Sequence, residues 1–380
     1  MTPREDSDSP VRPGGRRARP LRIVVAGGGT GGHLYPGIAV AREILARRAD
    51  AVVTFAGTAR GIESRVVPRE GFELDVIRSG GLKGKTALAR LRGLGLLPLS
   101  ALDGWRVLSR RRPDLVIGVG GYSSGPVVAL AAARGTPTLL LEQNAVPGLT
   151  NRLLAPLVRA AAVTYESTLP FFKGKGFVAG NPVRPEFLRL AAARREPAPG
   201  AALRVLIFGG SQGAHAINVA AVEAAPKLAA SPVPLAVTHQ TGERDLALVR
   251  EGYERAGVDA RVEPYLFEMD REMNDADIVV CRAGATTLAE ITAAGKPSIL
   301  VPLPTATDDH QRRNAAALRD SGAAEVIDQR ELSGNRLAVR LMALAADPTG
   351  CARMAVAARE LARPEAARLI ADRALELVDG

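Results

Sequence analysis

One turn occurs twice in this chain. Leu21-Arg-Ile-Val-Val-Ala-Gly-Gly-Gly-Thr-Gly-Gly-His33 is answered by Leu203-Arg-Val-Leu-Ile-Phe-Gly-Gly-Ser-Gln-Gly-Ala-His215. In each, an apolar β-branched run meets a glycine cluster and an Ala-rich stretch follows. That is the pattern of a buried parallel strand, a tight turn and a helix. A helix starting at such a turn offers free N–H groups and the positive end of its dipole, a natural seat for phosphate. A third turn of this kind, Gly120-Gly121-Tyr122-Ser123-Ser124-Gly125-Pro126, follows the apolar run Asp114–Val119. The expected class is therefore α/β, with two similar doubly wound, Rossmann-like parallel-sheet domains and a phosphate-bearing ligand held between them.

Bulk properties narrow the partners. At 380 residues the chain accommodates two ordinary domains. Its two cysteines, Cys281 and Cys351, make no disulfide framework and show no metal-ligand spacing, which points to a reducing compartment. The first twenty residues are rich in Pro, Arg, Ser and Asp and lack the apolar core of a signal peptide, so a disordered tail is expected. No unbroken apolar run approaches the ~20 residues that span a bilayer. The net charge of +10 owes five arginines to the tail, at Arg4, Arg12, Arg16, Arg17 and Arg19. Aromatics are too sparse, at 4%, for base-stacking platforms, and nucleic acid is not expected as a partner. An anionic membrane surface and a phosphorylated small ligand remain. Gly80–Leu108 mixes Lys83, Lys85, Arg90, Arg92 and Arg106 with many leucines, either as ordinary amphipathic helices or as a basic, apolar face lying on a membrane.

Strand and helix signals give the layout. Strands are expected at Leu21–Ala26, Ala51–Phe55, Glu73–Val76, Asp114–Val119 and Thr138–Leu141, with a first helix over Tyr35–Arg48. The second half carries Leu203–Phe208, Leu235–Thr238, Arg261–Pro264, Ile278–Cys281, Ser298–Val301 and Ala324–Ile327. The boundary is expected after Gly180-Asn181-Pro182-Val183-Arg184-Pro185, with Ala191–Gly200 as linker. The division is then a tail at 1–20, a first domain at 21–186, a second at 187–363, and a helix at 364–380 crossing back to the first.

Three motifs carry chemistry. Gly27-Gly28-Gly29-Thr30-Gly31-Gly32 contains G-x-G-x-x-G, but the second strand ends Thr54-Phe55-Ala56-Gly57-Thr58 with no acid for a ribose. Glu63 comes several residues later, and a dinucleotide-dependent dehydrogenase is disfavoured. His33 follows this turn directly, where an imidazole accepts a proton near neutral pH or serves a purely structural hydrogen bond. With four histidines in all, at 33, 215, 239 and 310, no metal cluster is suggested, and His215 is expected to be structural or on the surface. In Cys281-Arg-Ala-Gly-Ala-Thr-Thr-Leu-Ala-Glu290 a strand turns into a helix, and Glu290 sits where a carboxylate grips ribose hydroxyls. Thr307-Asp308-Asp309-His310-Gln311-Arg312-Arg313-Asn314 lies at the same sheet edge, suited to sugar hydroxyls.

Together GGGTGGHLYPGIAVA, GVGGYSSGPVVAL, EQNAVPGLTNR, GNPVR, GGSQGAHAIN, CRAGATTLAEI and DDHQRRNA resemble, in order and spacing, the MurG family of bacterial N-acetylglucosaminyltransferases. The resemblance runs from about Leu21 to Gly380 and implies a GT-B fold without cofactor or metal. It implies a peripheral enzyme of peptidoglycan synthesis on the cytoplasmic face of the cell membrane, taking UDP-N-acetylglucosamine and undecaprenyl-diphospho-muramoylpentapeptide. On the donor it would set Ser211 at phosphate, Leu266 at uracil, Glu290 at ribose, and Ala285, Thr286, Thr287, Leu288 and Ala289 as backbone contacts. Gln311 and Asn314 would reach the sugar, joined by Thr30, Gly31, Gly32, Asn144 and Arg184. The acceptor diphosphate would lie at Gly31, Gly121, Tyr122 and Ser123. The general base is left between His33 and Glu142. Where some relatives carry His before Glu-Gln-Asn, this chain has Leu141. The other readings in play are a transferase of this fold with another acceptor and a UDP-N-acetylglucosamine 2-epimerase.

Overall fold

The computed structural model describes residues 19–79, 95–191, 201–210, 213–306 and 309–379. Two parallel sheets dominate. The first runs β3-β2-β1-β4-β5-β6-β7, from strands β1 (Arg22–Gly27), β2 (Val52–Gly57), β3 (Glu73–Val76), β4 (Leu115–Gly120), β5 (Thr138–Glu142), β6 (Ala160–Val163) and β7 (Gly176–Val178). The second runs β10-β9-β8-β11-β12-β13, from β8 (Leu203–Phe208), β9 (Leu235–Gln240), β10 (Asp259–Glu263), β11 (Ile278–Cys281), β12 (Ser298–Leu300) and β13 (Glu325–Val326). In both, the order reverses beside the first strand, at β1/β4 and β8/β11. Ligands of doubly wound sheets bind at such switch points, outside the carboxyl ends of the strands.

Burial explains the strands. Central β4 is buried throughout, as a strand covered by helices on both faces must be. Ile23 and Val25 of β1 pack with Ile38 and Ile44 on one face, while Val24 and Ala26 face Val107, Val127 and Val128 on the other. The last helix, Ala366–Asp379, contributes Ile370, Ala371 and Ala374 to the first domain's core. Arg47 and Asp372 form an ion pair at that junction. The chain thus ends by returning to the lobe in which it began.

Two features of the first domain differ from the sequence expectation. The first helix opens at Gly31, four residues before the expected Tyr35, and runs to Arg47 with Pro36 inside its first two turns. Glycines give no propensity signal for a helix start, so the pattern of apolar residues reveals it late. Strands β6 (AAAV) and β7 (GFV) were absent from the expected set. Alanine and glycine are poor strand formers, and here the neighbouring β5 dictates pairing, from Leu139↔Ala160 to Glu142↔Val163.

Candidate active site between two glycine-rich turns

The first and third glycine turns dock back to back. Gly27 has φ +136, and a Cβ there would stand 2.3 Å from the carbonyl oxygen of Gly120. Gly28 N–H donates to that same oxygen at 3.3 Å. Only glycine permits both the conformation and the approach. A buried carboxylate completes the turn. Glu63, fully buried, accepts from Gly29 N (2.8 Å), Thr58 N (2.8 Å) and Thr58 Oγ1 (2.8 Å). Two amides of the glycine cluster are therefore already spent on protein oxygens. The open anion seat shifts to the start of the Gly31–Arg47 helix, whose amino end has no side-chain cap.

Residues singled out in both lobes meet here. Thr286 Oγ1 donates to Gly32 O at 3.0 Å, joining the first turn to the helix Ala285–Ala294, which also lacks a side-chain cap. Asn314, fully buried, accepts from Ala145 N at 2.9 Å and donates from Nδ2 to Asn144 Oδ1 at 3.3 Å. Asn181, in the segment joining the lobes, donates to Thr286 Oγ1 at 3.4 Å. Arg184 donates to Glu290 Oε1 from Nη2 at 2.9 Å and from Nε at 3.2 Å. Its guanidinium lies between Tyr35 and Phe187, 4.9 and 4.6 Å from their ring centres. Burial pushes the Glu290 carboxyl up, and Arg184 pulls it back. Only Oε1 receives Arg184.

His33 occupies the first turn of its helix, against the glycine turn of β4. Gln143 Nε2 donates to Val119 O at 3.1 Å, which fixes the amide so that Oε1 faces His33 Nδ1 at 3.2 Å. An acceptor there favours the tautomer with the proton on Nδ1 and the lone pair on Nε2. Burial is the largest force lowering the His33 pKa below 6.5. The Gln143 hydrogen bond opposes it, and the charge of His310, from the other lobe, adds to it. The net shift favours the neutral imidazole.

Glu142 sits in a nest of donors. Only 2% exposed, it accepts from Asn144 N, Asn144 Nδ2, Gly148 N and Asn151 Nδ2 at 2.8–3.3 Å. Burial raises its pKa against the pull of these donors. A carboxylate so occupied braces the loop carrying Asn144 and Ala145, and its neighbour Gln143 is the residue that touches His33. From sequence, Gln143 and His310 had no role of their own, although both lie inside the motifs EQNAVPGLTNR and DDHQRRNA.

The remaining donor-side residues spread around this centre. Gln311 Oε1 accepts from Leu303 N at 3.0 Å, tying down the loop after β12. Leu266, buried, packs with Phe187 and Leu288. Gly213, with φ +74, would drive a Cβ to 1.8 Å from Thr241 O, so its turn also requires glycine. The helix it precedes, His215–Ala229, lacks a side-chain cap. His215 Nδ1 lies 3.0 Å from Asp245, a structural bond on a half-exposed ring. Ser211, Asp308 and the basic quartet Lys83, Lys85, Arg90 and Arg92 lie outside the described residues. In the first domain Ser123 is buried beside half-buried Gly121 and Tyr122. Among the described residues, no three His, Cys, Asp or Glu side chains converge as a metal site would require.

Comparison with known proteins agrees with this architecture. The glycosyltransferase family 28 N-terminal domain matches residues 23–163 and the family 28 C-terminal domain residues 204–371. A UDP-N-acetylglucosamine–N-acetylmuramyl-(pentapeptide) pyrophosphoryl-undecaprenol N-acetylglucosamine transferase of Anaeromyxobacter sp. (strain K) is 48% identical, with 94% of this chain and 93% of that protein covered. The protein of the same name from Geotalea uraniireducens (strain Rf4) is 47% identical over 93% and 97% of the two chains. The crystal structure of Acinetobacter baumannii MurG superposes with a TM-score of 0.78 at 30% identity, covering 94% of this chain and all of that one. A UDP-GlcNAc 2-epimerase from Neisseria meningitidis reaches 0.66 at 15% identity, over 94% of this chain and all of that one, a likeness of fold alone. Two matched domains covering most of both sheets, and relatives spanning nearly the whole chain, place this protein in glycosyltransferase family 28.

Proposed function

We propose that this chain is an inverting N-acetylglucosaminyltransferase of peptidoglycan synthesis. It moves N-acetylglucosamine from UDP-N-acetylglucosamine to the C4 hydroxyl of an undecaprenyl-diphospho-muramoylpentapeptide. The observation that carries this reading is the Thr286–Gly32 hydrogen bond of 3.0 Å. It puts His33, on the acceptor lobe, next to the uncapped amino end of the helix that bears Glu290.

In this reading UDP lies on the second domain, with Glu290 accepting from the ribose and Arg184 held beside it. The backbone from Ala285 to Ala289, with Gln311, Asn314 and Asn144, frames the sugar. The acceptor diphosphate lies at the amino ends of the Gly31 and Ser124–Ala133 helices, near Gly121, Tyr122 and Ser123. His33 Nε2 takes the proton of the acceptor hydroxyl as its oxygen bonds to the anomeric carbon. The bond from that carbon to the UDP oxygen breaks, and its electron pair leaves with UDP. Attack from the face opposite the leaving group turns the α linkage into β. Helix amino ends stabilise the developing charge without reorganising.

The test uses radiolabelled UDP-N-acetylglucosamine and a short-chain analogue of the lipid-linked muramoyl peptide. Label appearing in the lipid product is the expected result. Release of an epimerised sugar without transfer would favour the epimerase reading, and transfer only to a different glycolipid would change the acceptor.

Activity is expected to persist in excess EDTA, because the sequence sets no Asp-x-Asp pair beside the donor diphosphate and the helix ends answer its charge. Loss on chelation with recovery on Mg²⁺ or Mn²⁺ would overturn the metal-free mechanism.

Membrane association is assigned to the first domain around Gly80–Leu108. Among the described residues no helix is long and apolar enough to cross a membrane. The helix Leu97–Arg111 exposes Leu99, Leu102 and Trp105. Each of Lys83, Lys85, Arg90 and Arg92 would add ~1 kcal/mol of attraction to anionic lipid. Flotation with anionic liposomes should weaken in high salt and when the four are changed to Ser. Equal flotation of both proteins at low and high salt would remove this placement.

A further inference from the structure

Glu63 opens the short helix Glu63–Arg69, beyond the turn that ends β2, yet its carboxylate lies in the first domain's glycine cluster. Both oxygens are committed. Oε2 accepts from Gly29 N at 2.8 Å, and Oε1 accepts from Thr58 N and Thr58 Oγ1, each at 2.8 Å. Thr58 Oγ1 in turn accepts from Gly61 N at 3.1 Å. Space is cleared for the group, since a Cβ added to Gly28, Gly57 or Gly61 would come within 2.8, 2.7 or 2.1 Å of its side chain. A glycine turn of the kind that takes a dinucleotide's pyrophosphate is thus filled here by the chain's own anion.

The consequences run to the reacting groups. Gly29 precedes Thr30, whose carbonyl accepts from His33 N at 3.2 Å as the Gly31 helix begins. Gly28, on its other side, donates to Gly120 O, and a Cβ at Gly121 would stand 2.7 Å from Gly28 O. The ring of His33 lies against Gly120, where a Cβ would be 2.9 Å from Nδ1. One carboxylate therefore fixes a loop that carries the helix start on one side and the backing of the imidazole on the other. We propose that Glu63 is a positioning residue for the acceptor half of the reaction, holding the anion seat at the Gly31 helix and the ring of His33 in register with each other. The inference rests on the transferase reading and goes beyond it to a residue that acts through the backbone of the glycine turn. Its charge would oppose an acceptor diphosphate, so its contribution comes from the amides that its two oxygens order.

The test is Glu63→Gln, which keeps the shape but offers one acceptor oxygen where two are used, so an NH₂ faces either Gly29 N–H or Thr58 N–H. With UDP-N-acetylglucosamine and the short-chain lipid acceptor, kcat should fall and the acceptor KM should rise by about 10-fold each, the scale of one buried hydrogen bond left unmade. The donor KM should stay as in wild type. Thr58→Ala removes one of the three donors and should move both constants the same way by less; it decides the matter if Glu63→Gln does not fold. A second readout needs no turnover. The Cε1 proton resonance of His33, assigned by its loss in His33→Ala, should move in Glu63→Gln, while those of His215 and His239 in the second domain stay. A variant that melts earlier but keeps wild-type kcat, acceptor KM and His33 resonance would make Glu63 structural only and overturn the proposal. A lower acceptor KM would show that its charge outweighs its grip, and equal rises in both KM values would carry the effect beyond the first domain; either overturns it too. If the wild-type enzyme transfers nothing, the transferase reading fails, and the His33 resonance alone still judges whether Glu63 positions the ring.

Discussion

His33→Ala is expected to lower turnover at least 10²-fold, the lower range for loss of a general base, while UDP affinity stays nearly unchanged. The separation follows from placement. His33 sits on the first domain, and the helix Ala285–Ala294, proposed to hold UDP, touches that domain through Gly32. Its direction of titration supplies a second readout. The neutral imidazole is the active form and burial lowers its pKa, so activity should fall on acidification with a midpoint below 6.5. That acid limb should vanish in His33→Ala. Gln143→Leu removes the acceptor that holds the Nδ1 proton, so it should cut kcat more than the KM of either substrate. Near-normal turnover of His33→Ala at saturating substrates would make His33 structural and return the search for the base to the neighbouring polar groups.

The two-sheet architecture was legible because its signals are local. Each apolar run followed by a glycine cluster encodes a strand and turn within a dozen residues, and Leu203–Phe208 lies where that pattern put it. The site was legible only in part. Glu63 shows why. The dinucleotide test asks for an acid at the end of β2, and an acid six residues beyond it was set aside. Folding brings that carboxylate back across 34 residues to hold Gly29. No periodicity encodes such a contact. Glu142 and Gln143 illustrate a finer limit. They are adjacent in sequence, yet the turn after β5 sends one side chain into a nest of four donors and the other to His33. Sequence identifies the motif; the backbone turn decides which member reaches the imidazole.

Glu290→Ala is expected to weaken UDP-N-acetylglucosamine binding by about 1.5–3 kcal/mol, the scale of hydrogen bonds to a charged group. Glu290 is 5% exposed and its Oε1 is held by Arg184, so the substitution also leaves a half-buried guanidinium without its counter-charge. Weaker binding alone would therefore be ambiguous between a lost ribose contact and a misplaced Arg184. A donor lacking the ribose 2′-hydroxyl separates the two, because coupling between protein and ligand deletions isolates the direct contact. Wild type should bind the deoxy donor more weakly than the natural one. In Glu290→Ala the two donors should bind almost alike, since the partner of that hydroxyl is gone. Calorimetry on the four combinations gives the answer. If the variant still distinguishes the two donors as strongly as wild type does, Glu290 does not hold the ribose. Its role would then be to fix Arg184 between Tyr35 and Phe187.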